Sequence, residues 1–328
     1  MLPLDDPLWQ KLDDAHRDRN IPKLLSRLAK TWDDEEATSL FWDCLCHQET
    51  CYGATYAVIP HLLKIARPEK NRRPRLEIAH FCGFVVLCAL DPRQGAKFLQ
   101  GLPETVDEWD EKLDVFRRLA SNIEDACEDG SYHGRDMELR RYKKLLAAGP
   151  VDVDDLDNIE SIRTDFFKAL PKIRALCERA LLENLQDKSI VRHLLGGIAA
   201  TYRLPDLARL CDYGPDDHFR CPSCDWRYKY ILFGDRVAIY ADEHGPSKAR
   251  TGMMRETPAS PDYKDGAATR HDGFILPTHD GEVSDRRAAA LLSLAGRAES
   301  AEPALLLRHF LGSFECCICG AQGAMSPA

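Results

Sequence analysis

The sequence predicts a mainly helical protein in which an α-solenoid of antiparallel helix pairs (residues 1–212) precedes a small α+β lobe (213–328). Before residue 212, apolar residues recur at helical spacing, and a short motif repeats at the interval typical of paired helices. Beyond Tyr213-Gly214-Pro215 the sequence turns to aromatic and β-branched runs separated by turn residues, which is typical of strands.

The first helices follow from apolar periodicity and capping residues. Residues 7–30 are expected to form two helices, and Pro22 suits the first turn of the second because no hydrogen-bond donor is lost there. Asp33-Asp34 is expected to cap a third helix that contains Leu40, Phe41 and Leu45. A fourth helix is predicted from Tyr52 onward.

The middle of the chain continues the helical pattern. Residues 73–91 form a strongly apolar helix, and residues 104–128 an acidic helix with one buried face and a solvated outer face. An acidic cap or loop covers 152–157. Further helices are predicted over 135–148, 158–186 with an interruption near Pro171, 188–202 and 205–211.

A short internal repeat indicates helix pairs. Ile21-Pro22-Lys23-Leu24-Leu25 reappears as Ile59-Pro60-His61-Leu62-Leu63, 38 residues later. Weaker copies, Leu170-Pro171-Lys172-Ile173 and Leu204-Pro205-Asp206-Leu207, lie 34 residues apart. Periods of this size are typical of α-solenoids, in which each helix pair buries its apolar face against its neighbours.

The residues from Leu40 to Leu63 carry a family resemblance. Leu40-Phe41-Trp42, His47-Gln48 and Tyr52-Gly53-Ala54-Thr55 lead into the second copy of the repeat, and the segment resembles bacterial HEAT-like repeat proteins. Upstream, Trp9 and Pro22-Lys23-Leu24-Leu25 match the same pattern, so the resemblance covers roughly the first 90 residues. Glu49 departs from it, because the family usually has Gly there. The resemblance implies a HEAT-like fold and, since a number of these proteins serve as immunity proteins in polymorphic toxin systems, a protein-binding function.

The C-terminal part combines strands, a long loop and two helices. Residues 227–233 and 236–240 are predicted to form a β-hairpin. Residues 243–283 are rich in Gly, Pro, Thr and charge, and are expected to form a mobile loop with one short strand at Phe274-Ile275-Leu276. Two helices, 284–298 and 301–311, complete this part.

Two C-x-x-C pairs bracket this lobe and predict a metal site. Cys221 and Cys224 form the first pair, and Cys316 and Cys319 form the second. Four thiolates on two tight turns are a ligand set for tetrahedral zinc, and they leave no coordination position open for water. With the hairpin directly after Cys224, the sequence predicts a zinc-ribbon-like lobe with one structural zinc.

Other ligands and another chemistry remain open at these cysteines. Cys317, His218 or Cys211 could replace one of the four thiolates. Alternatively, Cys221-Pro222-Ser223-Cys224 could be a redox motif of the thioredoxin kind. Such a motif follows a strand and opens a helix, whereas strands are predicted after this one.

A second group of potential ligands lies near the family motif: Cys44, Cys46, His47, Cys51 and His61. Residues two apart on a helix point to different sides, so Cys44 and Cys46 are not expected to bind one ion. A structural role is favoured for the group, with His47 bonding backbone groups between helices.

Charge and cysteine usage restrict the cellular setting. The chain has 53 acidic and 44 basic side chains, a net charge of -9, so general binding to nucleic-acid backbones is not expected. Thirteen cysteines, an odd number, together with paired C-x-x-C turns favour a reducing cytoplasm and a metal over disulfides. Neither a secretion signal near Met1 nor an apolar run of the roughly 20 residues that span a bilayer is present.

The sequence contains no Gly-rich phosphate loop, H-E-x-x-H or G-x-S-x-G motif, so a non-catalytic role is predicted. The expected function is binding another protein, most concretely a toxin with a basic domain that an acidic solenoid surface would meet. A zinc-ribbon adaptor for nucleic acids that uses Arg227, Tyr228, Lys229 and Tyr230 is the alternative, and an enzyme with an unrecognised site is the least favoured.

Overall fold

A computed structural model describes most of the chain, over the following residues: 1–15, 20–47, 50–67, 72–90, 101–128, 136–183, 187–212, 218–221, 223–225, 227–233, 236–241, 274–275, 283–298, 301–311, 314–316, 319–323 and 326–327. Over these ranges the protein is mainly helical, as predicted. The chain divides into two compact units, Met1–Ala180 and Leu181–Ala328.

The first unit is built from helices with one small strand pair. Its helices are α1 (Ile21–Lys30), α2 (Asp34–Thr38), α3 (Gly53–Ile65), α4 (Arg72–Ala89), α5 (Val106–Glu128), α6 (Asp136–Ala148) and α7 (Val153–Leu181). A 3₁₀ turn, Pro7–Gln10, precedes α1, and a π-helix, Ser39–Leu45, extends α2. Strands β1 (Cys46–His47) and β2 (Thr50–Cys51) pair antiparallel ahead of α3.

The second unit combines helices with a five-stranded sheet. Its elements are α8 (Lys188–Thr201), α9 (Pro205–Asp212), β3 (His218–Arg220), β4 (Arg227–Phe233), β5 (Arg236–Ala241), β6 (Phe274–Ile275), α10 (Arg286–Arg297), α11 (Ala301–Phe310), β7 (Phe314–Glu315), β8 (Gln322–Gly323) and β9 (Ser326–Pro327). The sheet order is β6-β5-β4-β3-β9, and β7 pairs with β8. The predicted hairpin is confirmed by the antiparallel pairing of β4 with β5.

The division between the units falls earlier than the sequence boundary placed after residue 212. Helices α8 and α9 belong to the second unit, where α8 packs against α10, and α9 packs against α11 and β9. The composition change at residue 213 therefore coincides with a change from helices to strands within one unit. Most of the loop predicted over 243–283 lies outside the described residues, and β6 stands where its short strand was predicted.

Local capping explains several helix starts. The side chain of Asn20 accepts a hydrogen bond from the Lys23 amide at the start of α1, and Pro22 lies in that first turn as predicted. Asp33 caps α2 in the same way, through the Glu36 amide. These side chains satisfy backbone donors that have no partner inside the helix.

The repeated proline does not mark one structural position. Pro22 and Pro205 lie at helix starts, whereas Pro60 and Pro171 lie inside α3 and α7. The predicted interruption near Pro171 is wrong, because α7 runs unbroken over 29 residues. An interior proline removes one helical hydrogen bond. Burial of the neighbouring apolar residues Phe166, Leu170 and Ile173 offsets that loss.

The core of the first unit surrounds α3, most of whose residues are buried. The Tyr56 ring meets Phe166 of α7 edge-on, with centroids 5.3 Å apart, and Phe41 stacks on Phe81 of α4 at 4.4 Å. Aromatic pairs of these geometries stabilise a core by about 0.5–1.5 kcal/mol beyond the area that they bury. Leu40, Phe41, Tyr56, Ile59 and Leu62, which lie in the segment that carries the family resemblance, are core residues of this unit.

A buried carboxylate ties the start of α3 to two later helices. Asp13 is 4% exposed; its Oδ1 accepts the Gly53 amide proton at 2.8 Å, and its Oδ2 lies 3.0 Å from Lys112 Nζ of α5. Arg141 of α6 lies 3.6 Å from the same oxygen. Burial raises the pKa of Asp13, but the two cations and the amide outweigh it, and the pKa is lowered overall.

Close backbone contact beside this carboxylate requires glycine. A Cβ on Gly101 would lie 2.3 Å from the Gly53 nitrogen and 2.6 Å from the Tyr52 carbonyl carbon. Backbone atoms cannot move aside as the end of a flexible side chain can, so a larger residue at Gly101 would push α3 away from Asp13. Within the residues given above, no helix is long and apolar enough to cross a membrane.

We expect Asp13→Asn to lower the free energy of unfolding of the first unit by about 3–5 kcal/mol, because Lys112 and Arg141 lose their anion. Urea unfolding followed by tryptophan fluorescence measures this, since Trp9, Trp32, Trp42 and Trp109 lie in this unit. Asp13 contributes to the free energy of unfolding at neutral pH, and this contribution is lost as pH falls from about 4 through the lowered pKa of the folded state. Below pH 4, the free energy of unfolding should therefore fall less steeply with pH in the variant than in the wild type.

The control for this prediction is Asp110→Asn, an exposed carboxylate on the same helix as Lys112. We expect its effect to stay within about 0.5 kcal/mol. Equal losses in the two variants would contradict a special role for Asp13.

Candidate metal centre

Four cysteine sulfur atoms converge in the second unit. The Sγ atoms of Cys221, Cys224, Cys316 and Cys319 all lie within 4.8 Å of one another. Cys221 and Cys319 are 3.7 Å apart, and so are Cys224 and Cys316. Cys221 and Cys316 are buried, Cys224 is half-buried, and Cys319 is exposed. Each C-x-x-C pair thus contributes one sulfur to each short contact.

The two C-x-x-C segments are closed by the same type of backbone hydrogen bond. The Asp225 amide donates to the Cys221 carbonyl at 2.9 Å, and the Gly320 amide donates to the Cys316 carbonyl at 2.7 Å. The donor residue has a left-handed conformation in both turns, with φ of 56° at Asp225 and 70° at Gly320. Because each turn closes four residues after its first cysteine, both cysteines of a pair project to the same side.

These distances fit a tetrahedral metal site. Zinc–thiolate bonds of about 2.3 Å in a regular tetrahedron give sulfur–sulfur edges of about 3.8 Å. The two sulfur–sulfur contacts of 3.7 Å match that edge. A disulfide would instead require sulfur atoms about 2.05 Å apart. The donor set is therefore compatible with one metal ion that prefers thiolate ligands, as the sequence predicts.

Hydrogen bonds to sulfur complete the surroundings. The Tyr228 side chain on β4 is fully buried, and its hydroxyl lies 3.1 Å from the Cys316 sulfur. At Cys319, a backbone hydrogen bond from Ala321 and a hydrogen bond with the Cys224 thiol lower the pKa. Burial and the hydrogen bonds with Cys316 and Cys221 outweigh them, so the pKa of the metal-free Cys319 thiol is raised. A bound cation would reverse this balance by favouring the thiolate.

The sequence predicts a different role for Tyr228. The nucleic-acid alternative placed it on an exposed aromatic surface, which its complete burial contradicts. No local pattern identifies it as a partner of sulfur, because Cys316 lies 88 residues away in the chain. The available signal was that successive side chains of the predicted strand point to opposite faces of the hairpin. One of those faces is turned toward the cysteines of the preceding C-x-x-C turn.

The structure describes two of the alternative ligands, Cys211 and His218. Cys211 is buried in α9 but does not belong to the converging group. Cys317 lies outside the described residues, and His218 begins β3. The first C-x-x-C turn lies between β3 and β4, which pair directly with each other. A redox motif of the thioredoxin kind would open a helix at this position.

The second cysteine group is arranged differently. Cys46 and Cys51 face each other across the β1–β2 pair, with sulfur atoms 3.0 Å apart, and both are buried. The hydrogen bond with Cys46 and burial raise the pKa of Cys51, which favours neutral thiols. His61 donates from Nε2 to the Leu2 carbonyl at 2.9 Å, and burial lowers its pKa. Among the described side chains, no three of this group converge on a metal position.

Comparisons with known proteins add no family to this geometry. No protein-family model, curated protein or solved structure matches the chain. The resemblance to HEAT-like repeat proteins therefore stays a prediction.

We expect Gly320→Ala to destabilise the second unit by about 1–2 kcal/mol, because an L-residue is strained in the left-handed conformation. Space is not the cause, since no atom lies within 4 Å of the added Cβ. Hydrogen–deuterium exchange of peptides from 218–241 and 286–311 measures the change.

Gly296→Ala is the matched control, because its Cβ also meets open space but the residue lies within α10. There alanine should stabilise the helix by about 0.5–1 kcal/mol. The same sign of effect in both variants would show that the second C-x-x-C turn does not require its conformation.

Proposed function

We propose that this chain is a non-catalytic protein-binding scaffold that acts in the cytoplasm as an immunity protein, by binding and neutralising a cognate toxin. In this proposal a HEAT-like α-solenoid provides the binding surface. A zinc-ribbon-like lobe with one structural zinc, held by Cys221, Cys224, Cys316 and Cys319, stabilises the second unit.

The packing of helices supports the solenoid. Helices that follow each other in the chain pack together: α3 with α4, α5 with α6, α8 with α9, and α10 with α11. Such sequential pairs are the building blocks of α-solenoids, whose surface groups remain available for partners. The HEAT-like motif supports the same fold. Because most of its residues in α3 are buried, a partner would bind at another part of the surface.

The structural role of zinc rests on the ligand set. Four thiolates fill a tetrahedron, whereas catalytic zinc sites keep one position for water or substrate. The site also joins two segments almost a hundred residues apart, Cys221 to Cys319. A metal in this position would contribute its binding free energy to the folding of the lobe.

The single observation that carries protein binding is the outer face of α5. It presents the exposed carboxylates Asp107, Asp110 and Glu111, and next to them Asp114, which pairs with Arg117. Val115 and Leu119, one helical turn apart, are 42% and 37% exposed beside them. Acidic groups around exposed apolar side chains suit a basic partner, since the charges steer association and the apolar contacts hold the complex.

The first experiment tests the metal. Elemental analysis should give one zinc per chain, and Cys319→Ser should lose zinc and unfold the second unit before the first. Removing a structural zinc deprives a small lobe of much of its folding free energy. Cys127→Ser, on α5, is the control and should retain both zinc and melting behaviour. Unchanged melting and zinc content in Cys319→Ser would contradict the structural site.

The second experiment tests neutralisation. Toxin candidates encoded beside this gene are expressed in bacteria with the wild-type chain or with Asp107→Lys/Asp110→Lys. The wild type should form a complex with one candidate and restore growth. The variant should weaken the complex about tenfold or more, because two attractive charges become repulsive.

Asp154→Lys/Asp157→Lys is closely matched to this variant. In both pairs the exposed carboxylates are the second and fifth residues of a long helix, so the local cost of reversing charge near the helix start is equal. The control should still protect. If neither complex nor protection is found with any neighbouring candidate, immunity is wrong; if both variants fail alike, the α5 face is not the binding surface.

A further inference from the structure

A second surface of the first unit has the opposite charge from α5. A groove of about 400 Å³ between α3 and α7 is lined by Met1, Pro60, Leu63, Lys64, Arg67, Asp165, Lys168, Ala169 and Lys172. Its side chains include four cations and one carboxylate. In a chain with a net charge of -9, this local excess of positive charge requires a separate explanation.

The cations lie at two edges of the groove. Lys64 lies near the end of α3 and Arg67 just beyond that end, while Lys168 and Lys172 are one turn apart on α7. Residues four apart lie on the same helix face, with Cβ atoms about 5–6 Å apart, so Lys168 and Lys172 form a row along α7. The edge contact between Tyr56 and Phe166 fixes one helix against the other, so the cations at the two edges keep their positions.

The four cations differ from most others around the core of this unit. Lys112 pairs with Asp13, Lys144 with Asp14, and Lys11 with Asp155. By contrast, Lys64, Arg67, Lys168 and Lys172 are exposed and form no ion pair with any residue that the structure describes. The carboxylate of Asp165 contacts the Met1 amino group. Like charges gathered without counter-ions destabilise a surface, and an anionic ligand relieves that repulsion.

We propose that this groove binds an extended acidic segment of a protein partner. In an extended chain, alternate side chains project to one side about 6.6 Å apart, a spacing similar to that of Lys168 and Lys172 along α7. Leu63 and Pro60 add apolar contacts for the backbone and small side chains. The described lining has no aromatic ring on which a nucleic-acid base could stack, so a peptide fits better than a single-stranded nucleic acid.

The groove is distinct from the proposed α5 binding face and does not depend on the immunity proposal. The two surfaces lie on different helices and attract opposite charges. Groove variants should therefore leave toxin neutralisation unchanged. If one proposal fails its experiment, the result does not decide the other.

The test measures binding of a fluorescein-labelled peptide, four Glu-Ala repeats, to the full chain by fluorescence anisotropy at about 20 mM salt, where exposed charges are weakly screened. Lys64→Gln/Lys168→Gln should weaken binding about tenfold, the combined effect of two exposed ion pairs. Asp165→Asn should strengthen it about threefold, because the one repelling carboxylate of the groove is removed.

Lys23→Gln/Lys30→Gln is the matched control, since both lysines are exposed on α1 and the change in net charge is the same. Its affinity should stay within about twofold of the wild type, as expected for a change remote from the ligand. All exposed substitutions should preserve the circular-dichroism melting curve, so that loss of binding cannot arise from unfolding.

The proposal is overturned by three results: no peptide binding at low salt, equal weakening in the groove and control variants, or binding of an eight-nucleotide oligothymidine that the peptide does not displace. The last result would assign the groove to nucleic acid. The chain as a whole repels anions. Tight binding of the peptide, together with weaker binding to Lys64→Gln/Lys168→Gln, therefore supports a localised site.

Discussion

The buried carboxylate of Asp13 is the interaction on which the first unit depends. It accepts a hydrogen bond from the Gly53 amide at the start of α3 and lies beside cations from α5 and α6, so three separate parts of the chain meet at one side chain. The Ala54 amide also donates to the Asp13 carbonyl at 3.1 Å, which holds α3 through backbone as well as side chain. A buried charge is tolerated only when it is paired and hydrogen-bonded, and these contacts meet that requirement.

Packing around this carboxylate depends on aromatic rings as well as charge. The Arg141 guanidinium lies 4.9 Å from the centre of the Tyr52 ring and also approaches Phe116 and Tyr142. A planar cation can stack on rings while it faces a carboxylate, which a lysine does less well. Charge pairing and apolar burial therefore reinforce each other here, and the position of α6 relative to α3 follows from both.

The elements that the sequence predicts correctly are those with a local signal. Apolar spacing predicts α4 and α5, alternating aromatic and β-branched residues predict the β4–β5 hairpin, and the two-residue interval between Cys221 and Cys224 predicts a turn with converging thiols. In each case the residues that decide the structure are neighbours in the chain. Periodicity and turn chemistry are read directly from such neighbours.

Contacts between distant residues leave no such signal. Such contacts follow only from how helices and strands pack. Examples are the pairing of Asp13 with Lys112, the hydrogen bond of Tyr228 with Cys316, and the position of Lys64 and Lys168 in one groove. Pro171 shows a related limit, since local propensity alone predicts a break in α7. Tertiary burial of the surrounding apolar residues overrides that preference.

The separation between the two C-x-x-C turns affects when the second unit can form during synthesis. The ribosome completes Cys221, Cys224 and the β4–β5 hairpin well before Cys316 and Cys319 exist, and β3 waits even longer for its second partner, β9. Closing a longer loop costs only about 0.6 kcal/mol for each doubling of length, so the equilibrium tolerates the delay. In the interval, the first pair of thiols lacks the two sulfur atoms with which it converges in the folded chain, so a thiophilic metal that the nascent chain encounters would meet only half of the candidate ligand set.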